Sequence, residues 1–123
     1  MNGGEIFAFT MAVVPQVCRD VLNRAAWAAE TVDGFVMHQA NRFMLQHLGR
    51  TMRVPKEKLV LALENYGNTS SASIPLAMAE ALRDPLQEHS MRLLLAGFGV
   101  GFSWAAAALE CGPIAVPPIV TLQ

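Results

Sequence analysis

The stretch "LLLAGFGVGFSWAAAAL", residues 93–109, contains no charged side chain and decides how the chain folds. Its length sits at the lower limit for a membrane-crossing helix, about 17 residues. Glycines alternate at 97, 99 and 101, however, and divide it into two halves of strand length. A tight turn between two buried strands accounts for that pattern better than a helix, because glycine weakens a helix and eases a turn. The reading is therefore an antiparallel pair of strands, with no membrane insertion. Beyond it, "CGPIAVPPIVTLQ" holds three prolines and reads as an extended tail over residues 111–123, leaving 1–110 as the folded body.

Before the hairpin, strands and helices alternate. Residues 5–29 carry apolar side chains at 6, 9, 13, 17 and 21 and again at 7, 11, 14, 18 and 22. That is a helix covered on more than one side. Pro15 is expected to kink it or to start a second segment. "FVMH" (35–38) reads as a short buried strand, and a helix follows from about Asn41 to Met52. "VPKEK" connects to a second strand, "LVLALEN" (59–65), which "YGN" breaks. "TSSASIPLAMAEALRD" (69–84) opens with hydroxyl residues suited to capping and continues with helix formers. The order is helix, strand, helix, strand, helix, strand, strand, which predicts a layered α/β fold with a mixed sheet and flanking helices.

Composition bounds the function. The 123 residues suit one domain, yet 53% are hydrophobic and only 15% charged, against about a quarter charged in an ordinary soluble domain. Apolar surface is expected to remain after folding, for a partner to cover. A net charge of −1 offers no basic stripe, so no nucleic-acid role is expected. Cys18 and Cys111 stand far apart without a CxxC or histidine pattern, so no metal site is expected. Such sparse cysteine usage, with no basic n-region in "MNGGEIFAF", points to a reducing, cytoplasmic setting.

Two polar residues fall at strand ends. His38 closes one strand and Asn68 follows another, each just ahead of a helix. In open α/β sheets ligands bind beyond the carboxyl ends of strands, so the two can face one crevice. "GFGVG" (97–101) allows close backbone approach, but its spacing is not the dinucleotide fingerprint. Taken singly, each feature has a plain structural reading: a hydrogen-bonding histidine, a turn-forming asparagine, a hairpin. His47 and His89 read as surface residues, and neither cysteine sits on an activating elbow.

Together the segments say more. "HQAN" (38–41), "ENYGNTSSASIPLA" (64–77) and "GFGVGFSW" (97–104), with the opening "MNGGEIFAFTM", closely resemble the C-terminal half of the β-ketoacyl-[acyl-carrier-protein] synthase III family, condensing enzymes of the thiolase superfamily. The resemblance covers the chain up to about Glu110. It implies the C-terminal half of a five-layer thiolase-like fold built from two similar halves. It implies a Cys-His-Asn triad in which His38 and Asn68 are the second and third members, the cysteine lying in the absent first half. A main-chain N–H that holds the thioester oxygen falls at Val100, where relatives commonly have glycine. The acyl-carrier-protein contact falls on Gln39, Ala40, Asn41, Arg42 and Phe43, with Arg42 supplying positive charge and Arg50 a second candidate for it. The implied reaction is decarboxylative Claisen condensation of an acyl-CoA-derived group with malonyl-acyl-carrier protein. It uses no cofactor beyond the coenzyme A and phosphopantetheine thioesters that are its substrates, and the complete protein is expected to be a homodimer. An acyltransferase of the same fold and a non-catalytic companion subunit are the alternative readings.

Overall fold

The computed structural model describes residues 2–122. Helix α1 (Gly3–Ala25) starts where the Asn2 side chain accepts from the N–H groups of Gly4 and Glu5, and it ends at Ala26 in the left-handed conformation. Pro15 lies inside α1 without dividing it. The expected second segment therefore does not form. Val14, Cys18 and Leu22 repeat every four residues and bury one stripe of the helix. The helix stops four residues short of the predicted end, and a single turn at Ala29–Thr31 leads into the sheet.

Strand β1 (Gly34–Met37) is buried at all four positions. After it come α2 (Arg42–Thr51), α3 (Ser73–Ala81), α4 (Arg83–Glu88) and the hairpin β2 (Met91–Gly99) and β3 (Ser103–Cys111). The sheet order is β1-β2-β3, with β1 parallel to β2 and β2 antiparallel to β3. The apolar run at 93–109 is thus a hairpin with its turn at Val100–Phe102, and no helix of the described residues is long and apolar enough to cross a membrane.

Alternation along the strands splits the core. Phe35, Met37, Leu94, Ala96 and Phe98 pack with Val14, Cys18 and Leu22 of α1 and Leu45 and Leu48 of α2. Val36 packs with Ala77 of α3 and with Val60, and Leu93 packs with Leu86 of α4 and with Val116. Helices therefore cover both faces of the sheet, which is why β1 reads as a continuous apolar run. Each fully buried leucine contributes about 1.5–3 kcal/mol.

Two expectations need correction. "LVLALEN" does not form a regular strand: only Leu59 bridges Phe35, and Val60 N–H donates to the Phe35 carbonyl at 3.1 Å. β1 has only four residues, so its main chain cannot partner the rest. The hydroxyl-rich opening of α3 supplies no side-chain cap either; Ser70–Ala72 is a single 3-10 turn, and no side chain bonds the first amides of α3. The predicted helix instead breaks at Leu82 and restarts as α4, where Pro85 sits in the first turn and needs no N–H partner. The tail has no regular structure over 112–122, yet Arg83 Nε donates to the Val116 carbonyl at 2.8 Å and Val116 is buried.

Candidate active site

β1 and β2 run parallel, so their carboxyl ends lie together, and a hollow of about 820 Å³ opens there. His38, Asn68, Ser70, Ser73, Gly97 and Gly99 are among the residues that line it. The imidazole and the carboxamide that sequence placed at two separate strand ends thus share one wall. Among the described residues, His38 is the only titratable side chain in that lining.

His38 leaves β1 with its own N–H donating to the Ala96 carbonyl at 2.8 Å, which fixes its backbone to β2. Its ring packs edge-on against Phe98, with centroids 5.4 Å apart. Nδ1 lies 2.6 Å from Ser73 Oγ. Burial pushes the imidazole below its ordinary value, and a main-chain acceptor at Ser70 offsets part of that. At neutral pH the ring is therefore uncharged and able to donate from one nitrogen only.

Asn68 sits in the turn after Gly67, whose φ of +63° suits glycine. Its Oδ1 accepts from Ser70 N–H at 2.9 Å. Only the oxygen of the carboxamide can accept, so this bond turns the amide and leaves Nδ2 as a free donor. The floor of the hollow is Gly97 and Gly99, two positions apart on one face of β2. A Cβ at either would meet nothing within 4 Å, so their missing side chains are what keep that space empty. Val100 is exposed at the turn, and among the described residues its N–H has no partner. Gly101 holds the turn at φ +142°, where a Cβ would strike Ser103.

No cysteine lines the hollow. Cys18 instead borders a separate cavity of about 360 Å³, and burial pushes its thiol up to about 12. It is a thiol, not a thiolate, at neutral pH.

The expected carrier-contact segment divides in two. Gln39 is 1% exposed and cannot offer its side chain to a partner. Its Nε2 donates to the carbonyls of Met37 (2.8 Å) and Val60 (3.3 Å), and its Oε1 accepts from Ala62 N–H at 2.8 Å. That carboxamide is the missing ladder partner of residues 59–63, and Gln39 leaves the contact set for this reason. Asn41 spends its side chain capping α2 at Met44 N–H, 2.8 Å away. Arg42, ion-paired with Glu64 at 3.7 Å, and Phe43, 65% exposed, do face outward. His47 is not a bare surface residue: it packs on Phe7 and Phe43 with centroids 5.3 and 6.1 Å away. Sequence reading missed Ser73. Its signal was a hydroxyl residue five positions after Asn68, and it was read as part of a cap.

A mixed α/β half-fold that gathers a histidine, an asparagine and a glycine-rich hairpin at its strand ends defines the thiolase-like class. Comparison with known proteins narrows this. Residues 22–111 match the family described as 3-oxoacyl-[acyl-carrier-protein (ACP)] synthase III C terminal, and the chain belongs to that family. It is similar to the β-ketoacyl-[acyl-carrier-protein] synthase III of Porphyra umbilicalis, 41% identical over 89% of this chain and 34% of that protein. Among solved structures it resembles a 3-oxoacyl-(acyl-carrier protein) synthase from Burkholderia xenovorans LB400 (46% identity, TM-score 0.95, 98% of this chain and 35% of the other). It also resembles the synthase III of Pseudomonas aeruginosa PAO1 (35% identity, TM-score 0.86, 95% and 37%). The chain spans about a third of the length of the relatives it matches.

Proposed function

We propose that this chain supplies the oxyanion-holding part of a condensing enzyme that joins an acyl group, delivered as an acyl-CoA, to malonyl-acyl-carrier protein. The observation that carries the reading is the shared hollow: two uncharged donors, His38 and Asn68, line it over a floor of glycines. In the reaction the malonyl thioester loses its carboxylate as carbon dioxide. The electron pair of the broken C–C bond passes into an enolate whose oxygen bears the charge. Neutral donors hold that charge without quenching the enolate by full proton transfer. The enolate carbon then attacks an acyl thioester on a cysteine, and the thiolate leaves. No side chain of this hollow can be that nucleophile, so the cysteine comes from the remainder of the protein.

The Val100 N–H, free in the hairpin turn, is suited to the acyl thioester oxygen. Arg42 and Phe43, with the half-buried Ala40 beside them, remain the surface offered to the carrier protein, and Asn41 sets their geometry through its cap. The substrates are coenzyme A and phosphopantetheine thioesters, with no further cofactor. A homodimer in the cytoplasm completes the reading, because β3 and the hairpin leave Trp104, Leu109 and Phe102 exposed for other surfaces to cover.

The test is a hybrid in which residues 1–110 replace the matching third of the Burkholderia synthase. It is expected to release carbon dioxide from malonyl thioester, and Asn68→Ala is expected to cut that rate by about 10²–10³. A variant as fast as its parent ends the assignment. The 123-residue chain assayed by itself is expected to form no ketoacyl product.

A further inference from the structure

We infer that Ser73 is a positioning residue that donates its hydroxyl proton to His38 Nδ1 and so places the imidazole proton on Nε2. This inference rests on the functional reading only for its consequence in catalysis; the proton assignment stands on geometry.

Ser73 is the first residue of α3 and 2% exposed. Its Oγ has two partners: His38 Nδ1 at 2.6 Å and the N–H of Gln39 at 3.2 Å. An N–H can only donate, so in the second bond Oγ accepts. A hydroxyl has one proton, and among the described residues His38 Nδ1 is the only acceptor paired with this one. The chain Gln39 N–H to Ser73 Oγ–H to His38 Nδ1 satisfies all three groups. The reverse arrangement, with Nδ1–H donating, gives Oγ two incoming protons and leaves its own without a hydrogen-bonded acceptor, because the Ser70 carbonyl near the ring makes no hydrogen bond to Oγ. An orphaned buried hydroxyl costs about 1–3 kcal/mol, enough to decide the tautomer. The adjacent carboxamide of Gln39 holds residues 59–63 to the end of β1, on the chain path that leads to Asn68. Ser73 therefore fixes the His38 ring at the edge of the hollow, and Gln39 braces the chain that leads to Asn68.

Two measurements test this. In the chain labelled with nitrogen-15 histidine, long-range proton–nitrogen spectra above about pH 7.5 are expected to show the His38 proton on Nε2 and a bare Nδ1. A proton on Nδ1 overturns the inference, and this readout needs no variant to fold. In the Burkholderia hybrid, Ser73→Ala is expected to lower kcat for malonyl decarboxylation by about 10- to 100-fold with KM unchanged. That is short of the roughly 10⁴ lost when a triad histidine is forced into the wrong tautomer, because the freed ring still samples the right one. Ser73→Thr, which keeps the hydroxyl, is expected to recover most of the rate. Equal losses in Ser73→Ala and Ser73→Thr mean that packing matters and the hydroxyl does not, which also overturns it. A parent hybrid without activity counts against the proposed function, while the imidazole spectrum still decides the role of Ser73.

Discussion

At the scale of single residues, Gln39 and His38 are neighbours with opposite burdens. Gln39 is wholly buried and closes three main-chain groups that no strand reaches. Gln39→Ala strands these groups, and each buried orphan costs about 1–3 kcal/mol. Urea denaturation of the variant is expected to show at least one such increment; an unchanged midpoint contradicts the clamp. His38 reports through pH. Burial lowers its pKa from the ordinary 6.5 in the folded protein. Between that value and the lower folded one, the unfolded chain binds a proton that the folded chain does not. Stability is therefore full above about pH 6.5 and falls as pH drops through the folded value. The loss between about pH 7.5 and 5.5 is expected to shrink in His38→Gln, which does not titrate. A variant with the same pH slope as its parent excludes His38 as the source.

Elements show where the sequence spoke clearly and where it did not. The hairpin was legible because glycine spacing and two runs of strand length point the same way. α1 and α2 were legible because their apolar stripes are long. The strand at 59–65 was not, since its alternation is real but its partner is a side chain, and no propensity reveals that Gln39 will stand in for a ladder. The hydroxyls of 69–73 failed differently: "TSSAS" reads as a cap, yet Ser70 N–H orients Asn68 and Ser73 Oγ meets His38. The geometry of the hollow has taken residues that local rules assign to helix initiation. The glycines of the hairpin divide by the same logic. Gly101→Ala meets both an unsuitable φ and Ser103, and is expected to lower stability by about 1–3 kcal/mol in denaturant titration. Gly97→Ala meets neither, so its folding is expected to be nearly unchanged while thioester turnover in the hybrid falls, because the new methyl enters the hollow. Unaltered turnover in Gly97→Ala shows that this part of the floor is not used.

The whole molecule explains the apolar excess that composition first raised. Its buried core is built from both faces of one sheet, and the surplus is left on Phe43, on the tail, and on the last strand and its turn. Trp104 and Phe102 stand about half exposed, their rings packed against Phe9 of α1, and most of β3 beyond them is open. β3 is also the end of the sheet, so its outer N–H and C=O groups have no neighbouring strand among the described residues. An alanine-rich edge whose only charge is Glu110, near its far end, invites another chain to pair with it. In proteins three times this length the rest of the polypeptide is available to cover such a surface. By itself, the chain is expected to self-associate as concentration rises, with sedimentation giving a weight-average mass above that of one copy. Ala107→Lys together with Leu109→Lys places two charges on exposed positions of that strand and is expected to restore a single copy at the same concentration. If the parent chain stays single throughout the range, the exposed strand is not the adhesive surface. The apolar composition then reflects the core alone.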